Sequence, residues 1–225
     1  MSVAENLRAV RATLPRGVRL LAVSKFHPAG VLQEAYDAGQ RLFGESRVQE
    51  LAAKRELLPA DVEWHFIGHL QTNKIKYMIP FVHTIHAVDS LKLLSEIGRQ
   101  AEKAGRTEPV RVLLQLHVAR EETKFGFTPD ECRAMLEGGA WRSVSPLVRL
   151  AGVMAMASNV DDTAQIRAEF REVAAFFREA KSRFFAGDAE FKEISMGMSH
   201  DYPIAVEEGS TMVRVGTRIF GERAY

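Results

Sequence analysis

Only one cysteine, Cys132, occurs in the 225 residues, so no disulfide can form within the chain. That suits a reducing compartment, and the expected location is the cytoplasm. A lone thiol can act as a nucleophile. Cys132, however, lies inside the helix-like stretch PDECRAMLEGG, which points to an inert thiol. There is no uninterrupted apolar stretch long enough to span a membrane. The amino terminus, MSVAENLRAVRATL, interleaves charges along an amphipathic helix and does not read as a signal peptide. Charge bias is missing too. A net charge of +1 argues against a dedicated nucleic-acid binder, whose basic face usually shows in the total. No linker-like or low-complexity segment breaks the chain, so one domain over residues 1–225 is expected.

What is present is a long alternation. With 46% hydrophobic and 26% charged residues, the chain can bury a sizeable core. Eight strand-like runs occur at 18–25, 41–46, 63–68, 83–88, 110–118, 146–156, 191–197 and 211–217. Helix-like segments lie between them, at PAGVLQEAYDAG, VQELAAKRELL, TNKIKYMIP, DSLKLLSEIGRQAEKAG, TPDECRAMLEGG, the stretch 161–184, and YPIAVEEG. Gly39, Gly105, Gly138 and Gly209 are expected to end helices in the left-handed conformation, and Asp89 and Thr128 to cap helix starts. Repeated β-α units signal a parallel sheet. Eight of them fit a closed (β/α)8 barrel, a TIM barrel, with an extra helix before the first strand. An open doubly wound sheet is the competing arrangement.

Either arrangement puts chemistry at the carboxyl ends of the strands. In LLAVSKFHP (20–28), Lys25 follows Leu21 and Val23 at period two and would share their inward face. A lysine held in a partly apolar mouth has a lowered pKa and suits Schiff-base chemistry; a lysine reaching out to solvent is the alternative. At the other end of the chain, Arg214, Gly216 and Thr217 lie in TMVRVGTRIF, where a strand gives way to a possible short helix able to hold an anion. Ser199, in SMGMSHD, adds a hydroxyl, or else caps a helix as Asp201 could. Arg214 shares a face with Gly216 and needs a carboxylate, an anion or a ring nitrogen as partner, unless it makes an external salt bridge.

The histidines raise the question of a metal. His65 and His69 flank a glycine at a strand exit and lack the zincin glutamate. His83 and His86 fall on opposite faces of a strand. No metal site is expected, and His65 reads as a pocket or core residue.

Taken together, a strand-one lysine, an inward arginine on strand eight and a Gly-Thr loop describe a pyridoxal phosphate cradle. The chain resembles the single-domain pyridoxal-phosphate homeostasis proteins, relatives of the barrel domain of alanine racemase. The resemblance runs through AVSKFHP, FGESRVQE, WHFIGHLQTNK, HAVDS, ETKFGF, GVMAM and SMGMSHDYPIAVEEGSTMVRVGT, ending at RVGTRIFG. It implies pyridoxal 5'-phosphate as cofactor, carried on Lys25 as an internal aldimine. Arg214 would face the pyridine nitrogen, and Gly216, Thr217 and Ser199 would hold the phosphate, with His65 and Met196 lining the pocket. Ser46 replaces the asparagine that many members carry, and His200 stands where an acidic residue is frequent.

Arginine at the ring nitrogen keeps it unprotonated and makes a weak electron sink. The racemases draw their second acid/base from an additional domain, for which the chain, ending at Tyr225, leaves no room. Tyr202 is a conceivable substitute. The reading is therefore a carrier in vitamin B6 homeostasis, with no catalytic residue assigned. A small racemase or lyase is the alternative, and a cofactor-free lysine aldolase acting on a phosphorylated sugar a third. Amino acids and apo-enzymes that use the cofactor are candidate partners, and a monomer is expected.

Overall fold

A computed structural model describes residues 2–120 and 125–222. Eight parallel strands close into a barrel in sequence order: β1 (Arg19–Val23), β2 (Leu42–Glu45), β3 (Glu63–Phe66), β4 (Thr84–Val88), β5 (Val110–Leu116), β6 (Val148–Ala155), β7 (Glu193–Ser195) and β8 (Met212–Val215). Closure is direct: β1 pairs β8 with Leu21 opposite Arg214 and Ala22 opposite Val215. The open sheet is thereby ruled out.

The outer layer contains α1 (Val3–Ala12), α2 (Ala29–Asp37), α3 (Val48–Arg55), α4 (Leu91–Lys103), α5 (Pro129–Gly138), α6 (Thr163–Phe184), α7 (Tyr202–Glu207) and α8 (Thr217–Phe220). Between β3 and β4, TNKIKY winds only into a 3-10 turn. The extra helix α1 starts with a capping box on Ser2 and Glu5, and Asn6 Nδ2 donates to the Ile219 carbonyl of α8 at 3.0 Å. Thr128 caps α5 through a second capping box, with Pro129 in the first turn. Two cap expectations shift by one residue. Gly139, not Gly138, takes the left-handed cap of α5, and Ser90, not Asp89, caps α4 by accepting from Leu93 N–H at 3.2 Å.

The main core lies between barrel and helices, where Phe43, Trp64, Ile85, Val112 and Val153 face outward onto Leu32, Leu51, Leu94 and Phe170. Cys132 is buried in it, and the apolar surroundings push its thiol pKa up to about 12, an inert state. Inside the barrel a small apolar cluster of Leu113, Ala151 and Met154 is joined by polar groups: His65, His86, Ser195 and Arg214. The β5–β6 register shifts after Val112, and Gly152 (φ 148°) follows. A Cβ there would sit 1.9 Å from the Glu193 carbonyl oxygen, so only glycine lets β6 approach β7 this closely. Among the described residues, no helix is long and apolar enough to cross a membrane.

Candidate functional site

The barrel mouth holds a cavity of about 210 Å³ lined by Val23, Lys25, Ile67, Met154, Met156, Met198, Ser199, His200, Arg214, Gly216 and Thr217. Lys25, Ser199, Arg214, Gly216 and Thr217, picked from opposite ends of the sequence, therefore meet in one place. Closure of β1 on β8 brings them together. Among the described residues, the lining contains an arginine, a lysine and a histidine but no carboxylate.

Lys25 sits in a turn two residues beyond β1 and is partly exposed. The turn is unusual: Phe26 has φ 70°, a left-handed conformation that bulky residues avoid. Its cost is met locally. The Phe26 N–H donates to Glu50 Oε1 at 2.6 Å, and the Arg47 guanidinium lies 4.7 Å above the Phe26 ring. Glu50 is itself anchored. Lys54 Nζ donates to Glu50 and Glu45, both at 2.7 Å, and to the Ser24 carbonyl at 2.8 Å, while Ser24 Oγ donates to Glu45 at 2.6 Å. Burial raises the Glu45 pKa, with Lys54 and Ser24 opposing the shift. This network rigidly sets the turn carrying Lys25.

On the opposite wall, Gly216 N–H donates to Ser199 Oγ at 3.2 Å, tying the exits of β7 and β8 together. Ser199 is thus a bridge between loops and not a helix cap. Asp201 precedes α7 and accepts from Met198 N–H at 2.5 Å, and it also lies 3.3 Å from His200 Nε2. A Cβ on Gly216 would come within 3.1 Å of the Val23 carbonyl oxygen, so backbone crowds this wall. The N–H groups of Thr217 and Arg218 precede the first bonds of α8, which run from Ile219 and Phe220 to the Gly216 carbonyl.

Arg214 is only 4% exposed, and burial lowers its pKa to about 10, which leaves it charged at neutral pH. It donates to the Ser195 carbonyl at 2.7 Å, to Ser195 Oγ at 2.8 Å and to the Ala155 carbonyl at 2.9 Å. Among the described residues, no carboxylate makes an ion pair with it. From Ser195 a polar chain descends into the barrel: His86 Nδ1 is 3.1 Å from Ser195 Oγ, and His86 Nε2 is 2.8 Å from His65 Nδ1.

Two residues expected at the pocket do not line this cavity. His65 lies deeper in the barrel, fully buried beside His86. Met196 packs in the outer core, whereas Met198 reaches the mouth. The chain turns at Gly197 (φ 93°), so strand alternation no longer predicts direction there. The Tyr202 hydroxyl pairs with Thr13 Oγ1 at 2.8 Å, outside the barrel, and so cannot serve as an acid/base at the mouth. Ser46 does not line the mouth cavity either; it belongs to a neighbouring surface cavity with Arg47 and Lys74. Residues 122–124 of ETKFGF lie outside the described residues. Reading the sequence missed Phe26 and Glu50. Nothing in a local pattern marks a left-handed phenylalanine, although Glu50 does fall in the stretch FGESRVQE.

Comparison with known proteins agrees with this geometry. The family model of the alanine racemase N-terminal domain matches residues 1–224. The pyridoxal phosphate homeostasis protein of Aquifex aeolicus is 38% identical over 208 residues, covering 92% of this chain and 88% of that protein. The structure of PipY from Synechococcus elongatus without PLP superposes with a TM-score of 0.90 at 39% identity, covering 98% of this chain and all of the other. The same protein with PLP bound gives 0.86 at 38% identity, with the same coverage.

Proposed function

The chain belongs to the alanine racemase N-terminal-domain family, among the pyridoxal phosphate homeostasis proteins, and on that footing we propose that it binds pyridoxal 5'-phosphate at the barrel mouth and serves to buffer or deliver it. The observation that carries this is the cavity that combines Lys25 with a buried Arg214 and, among the described residues, has no acidic residue in its lining. An aldehyde bearing a phosphate fits such a lining: an amine for the aldehyde, fixed positive charge for the anion.

When bound, the cofactor supplies an aldehyde carbon that a neutral amine can attack with loss of water. The protein's own groups do the rest. The Glu50–Phe26 turn presents the Lys25 amine at the cavity. Ser199 Oγ, which already accepts from the Gly216 N–H, would together with the Thr217 N–H offer hydrogen bonds to the phosphate oxygens, and Gly216 keeps that wall free of a side chain. Arg214, which donates and never accepts, would face the ring nitrogen as a hydrogen-bond donor and leave it unprotonated. The three mouth methionines supply soft apolar surface for a flat ring.

A holding role is favoured over turnover. Lys25, His200 and Arg214 are the titratable groups of the cavity lining, and His200 is paired with Asp201. The partly exposed Lys25 turn leaves the mouth open to exchange with solution, with amino acids and apo-enzymes as candidate recipients. We place this exchange in the cytoplasm, carried out by a monomer whose residues 1–225 form one domain. Borohydride reduction of cofactor-loaded protein followed by peptide mass mapping tests the reading. The label is expected on Lys25 alone, and Lys25→Ala protein should stay colourless. Label on another lysine would overturn the assignment.

A further inference from the structure

At the far end of the barrel from the mouth, a second cavity of about 410 Å³ opens among Gly17, Arg19, Glu63, His83, Arg111, Lys192, Glu193 and Thr211. Beside it, Glu63, His65 and His83 converge, with one donor atom of each within 4.8 Å of the others. His83 was expected to point away from His86, but it precedes β4, and both rings approach His65, with centroids 5.5 Å and 5.1 Å from it.

Three features distinguish this cluster from chance neighbours. His65 is fully buried, its Nδ1 is engaged by His86, and its Nε2 has no hydrogen-bond partner among the described residues. That nitrogen is a buried polar atom lacking what such atoms nearly always have. His83 is oriented in the same fashion: Nδ1 pairs with Thr84 Oγ1 at 2.8 Å, and Nε2 lies 3.8 Å from Glu63 Oε2. In each ring the far nitrogen is fixed by a second group, the arrangement metal-ligating histidines use to aim the other nitrogen. Burial also keeps both imidazoles neutral, the form that binds a metal.

We propose that Glu63, His65 and His83 form a site for a divalent cation of the zinc class, with an open coordination position toward the lower cavity. Two imidazoles and a carboxylate are a three-ligand set that leaves room for water. In a tetrahedral set with ligand distances of about 2.1 Å, donors stand about 3.4 Å apart, so donor separations of up to 4.8 Å must close by as much as about 1.4 Å. Glu63 and His83 can make that adjustment, since their side chains are 39% and 38% exposed.

The nearby cations do not claim the site for an anion, because they are already committed. Arg19 pairs with Glu193 at 3.0 Å, Arg111 with Glu190 and, at 3.9 Å, with Glu193, and Lys192 lies 3.8 Å from Glu190. Metal at His65 Nε2 also fixes the proton on Nδ1. His65 then donates to His86 Nε2, and His86 donates through Nδ1 to Ser195. The inference is independent of the cofactor reading, being at the other end of the barrel.

Cobalt(II) titration of the full chain, followed by visible ligand-field absorption, tests it. One equivalent should bind and be displaced by zinc(II). Glu63→Gln and His83→Ala should each weaken binding at least about tenfold. Both residues are partly exposed, so an unchanged thermal midpoint will show that the variants fold. Absence of a ligand-field band would overturn the proposal. So would a band that survives in His83→Ala, which would place the metal at a surface pair such as His200–Asp201 or His69–Asp89.

Discussion

At the mouth of the barrel, Lys25, His200 and Arg214 line a cavity of about 210 Å³ with no acidic residue among its described lining; at the opposite end, Arg19, Arg111 and Lys192 share a cavity nearly twice that size with Glu63 and Glu193. The larger cavity is balanced within itself, each arginine already matched by a glutamate. In the smaller one, the buried Arg214 gives its hydrogen bonds to neutral oxygens, and the Asp201 carboxylate acts on it only at longer range. A buried arginine hydrogen-bonded to neutral oxygens suits a ligand that adds an acceptor. Local charge pairing, more than volume, distinguishes the two ends.

Substitutions should respect this division. The largest effect belongs to the β6–β7 pairing beside Glu193. Gly152→Ala forces a Cβ against the Glu193 carbonyl and should cost more than about 3 kcal/mol, read as a lower denaturant midpoint or loss of soluble protein. Wild-type stability in that variant would mean β6 and β7 can part without penalty. Arg214→Met comes next, at the mouth. It should weaken cofactor binding by about 2 kcal/mol, roughly 30-fold in Kd, by equilibrium dialysis. An unchanged Kd would remove Arg214 from the ligand's contacts.

Glu50→Ala sharpens the comparison, because it touches the mouth only through the backbone. Losing the acceptor for Phe26 N–H and a partner of Lys54 should cost about 1–2 kcal/mol of stability. Covalent loading of Lys25 should slow at the same time, followed as the rise of colour after mixing. Normal loading would show that the left-handed turn holds without Glu50. Gly216→Ala should have the smallest effect. Its Cβ meets the Val23 carbonyl at 3.1 Å, and about 1 kcal/mol of cofactor affinity should be lost with little change in the unfolding midpoint. A stability loss exceeding the binding loss would make Gly216 a packing residue first.

Much of this was legible in the chain. The eight strands stand where apolar runs alternate with helical periods, and their order follows from short right-handed β-α connections. Lys25, Arg214, Gly216 and Thr217 could be picked out because strand ends are where such folds place chemistry. Illegible were features that depend on the chain leaving a regular period. Phe26 adopts its left-handed turn because Glu50, 24 residues on, accepts its N–H. Met198 replaces Met196 at the mouth because Gly197, at φ 93°, breaks the strand alternation between them. The convergence of His83 and His86 on His65 likewise needed the start of β4 to be known.

On the proposed reading, the barrel mouth holds pyridoxal phosphate through Lys25. Titration of wild-type and Lys25→Arg protein with pyridoxal phosphate, followed by visible absorption, addresses it most directly. Arginine keeps the positive charge but offers no amine nucleophile. The account predicts that wild-type saturates at one equivalent with a visible band, while Lys25→Arg shows none and retains only weak, salt-sensitive binding. A visible band of equal strength in the variant would contradict it.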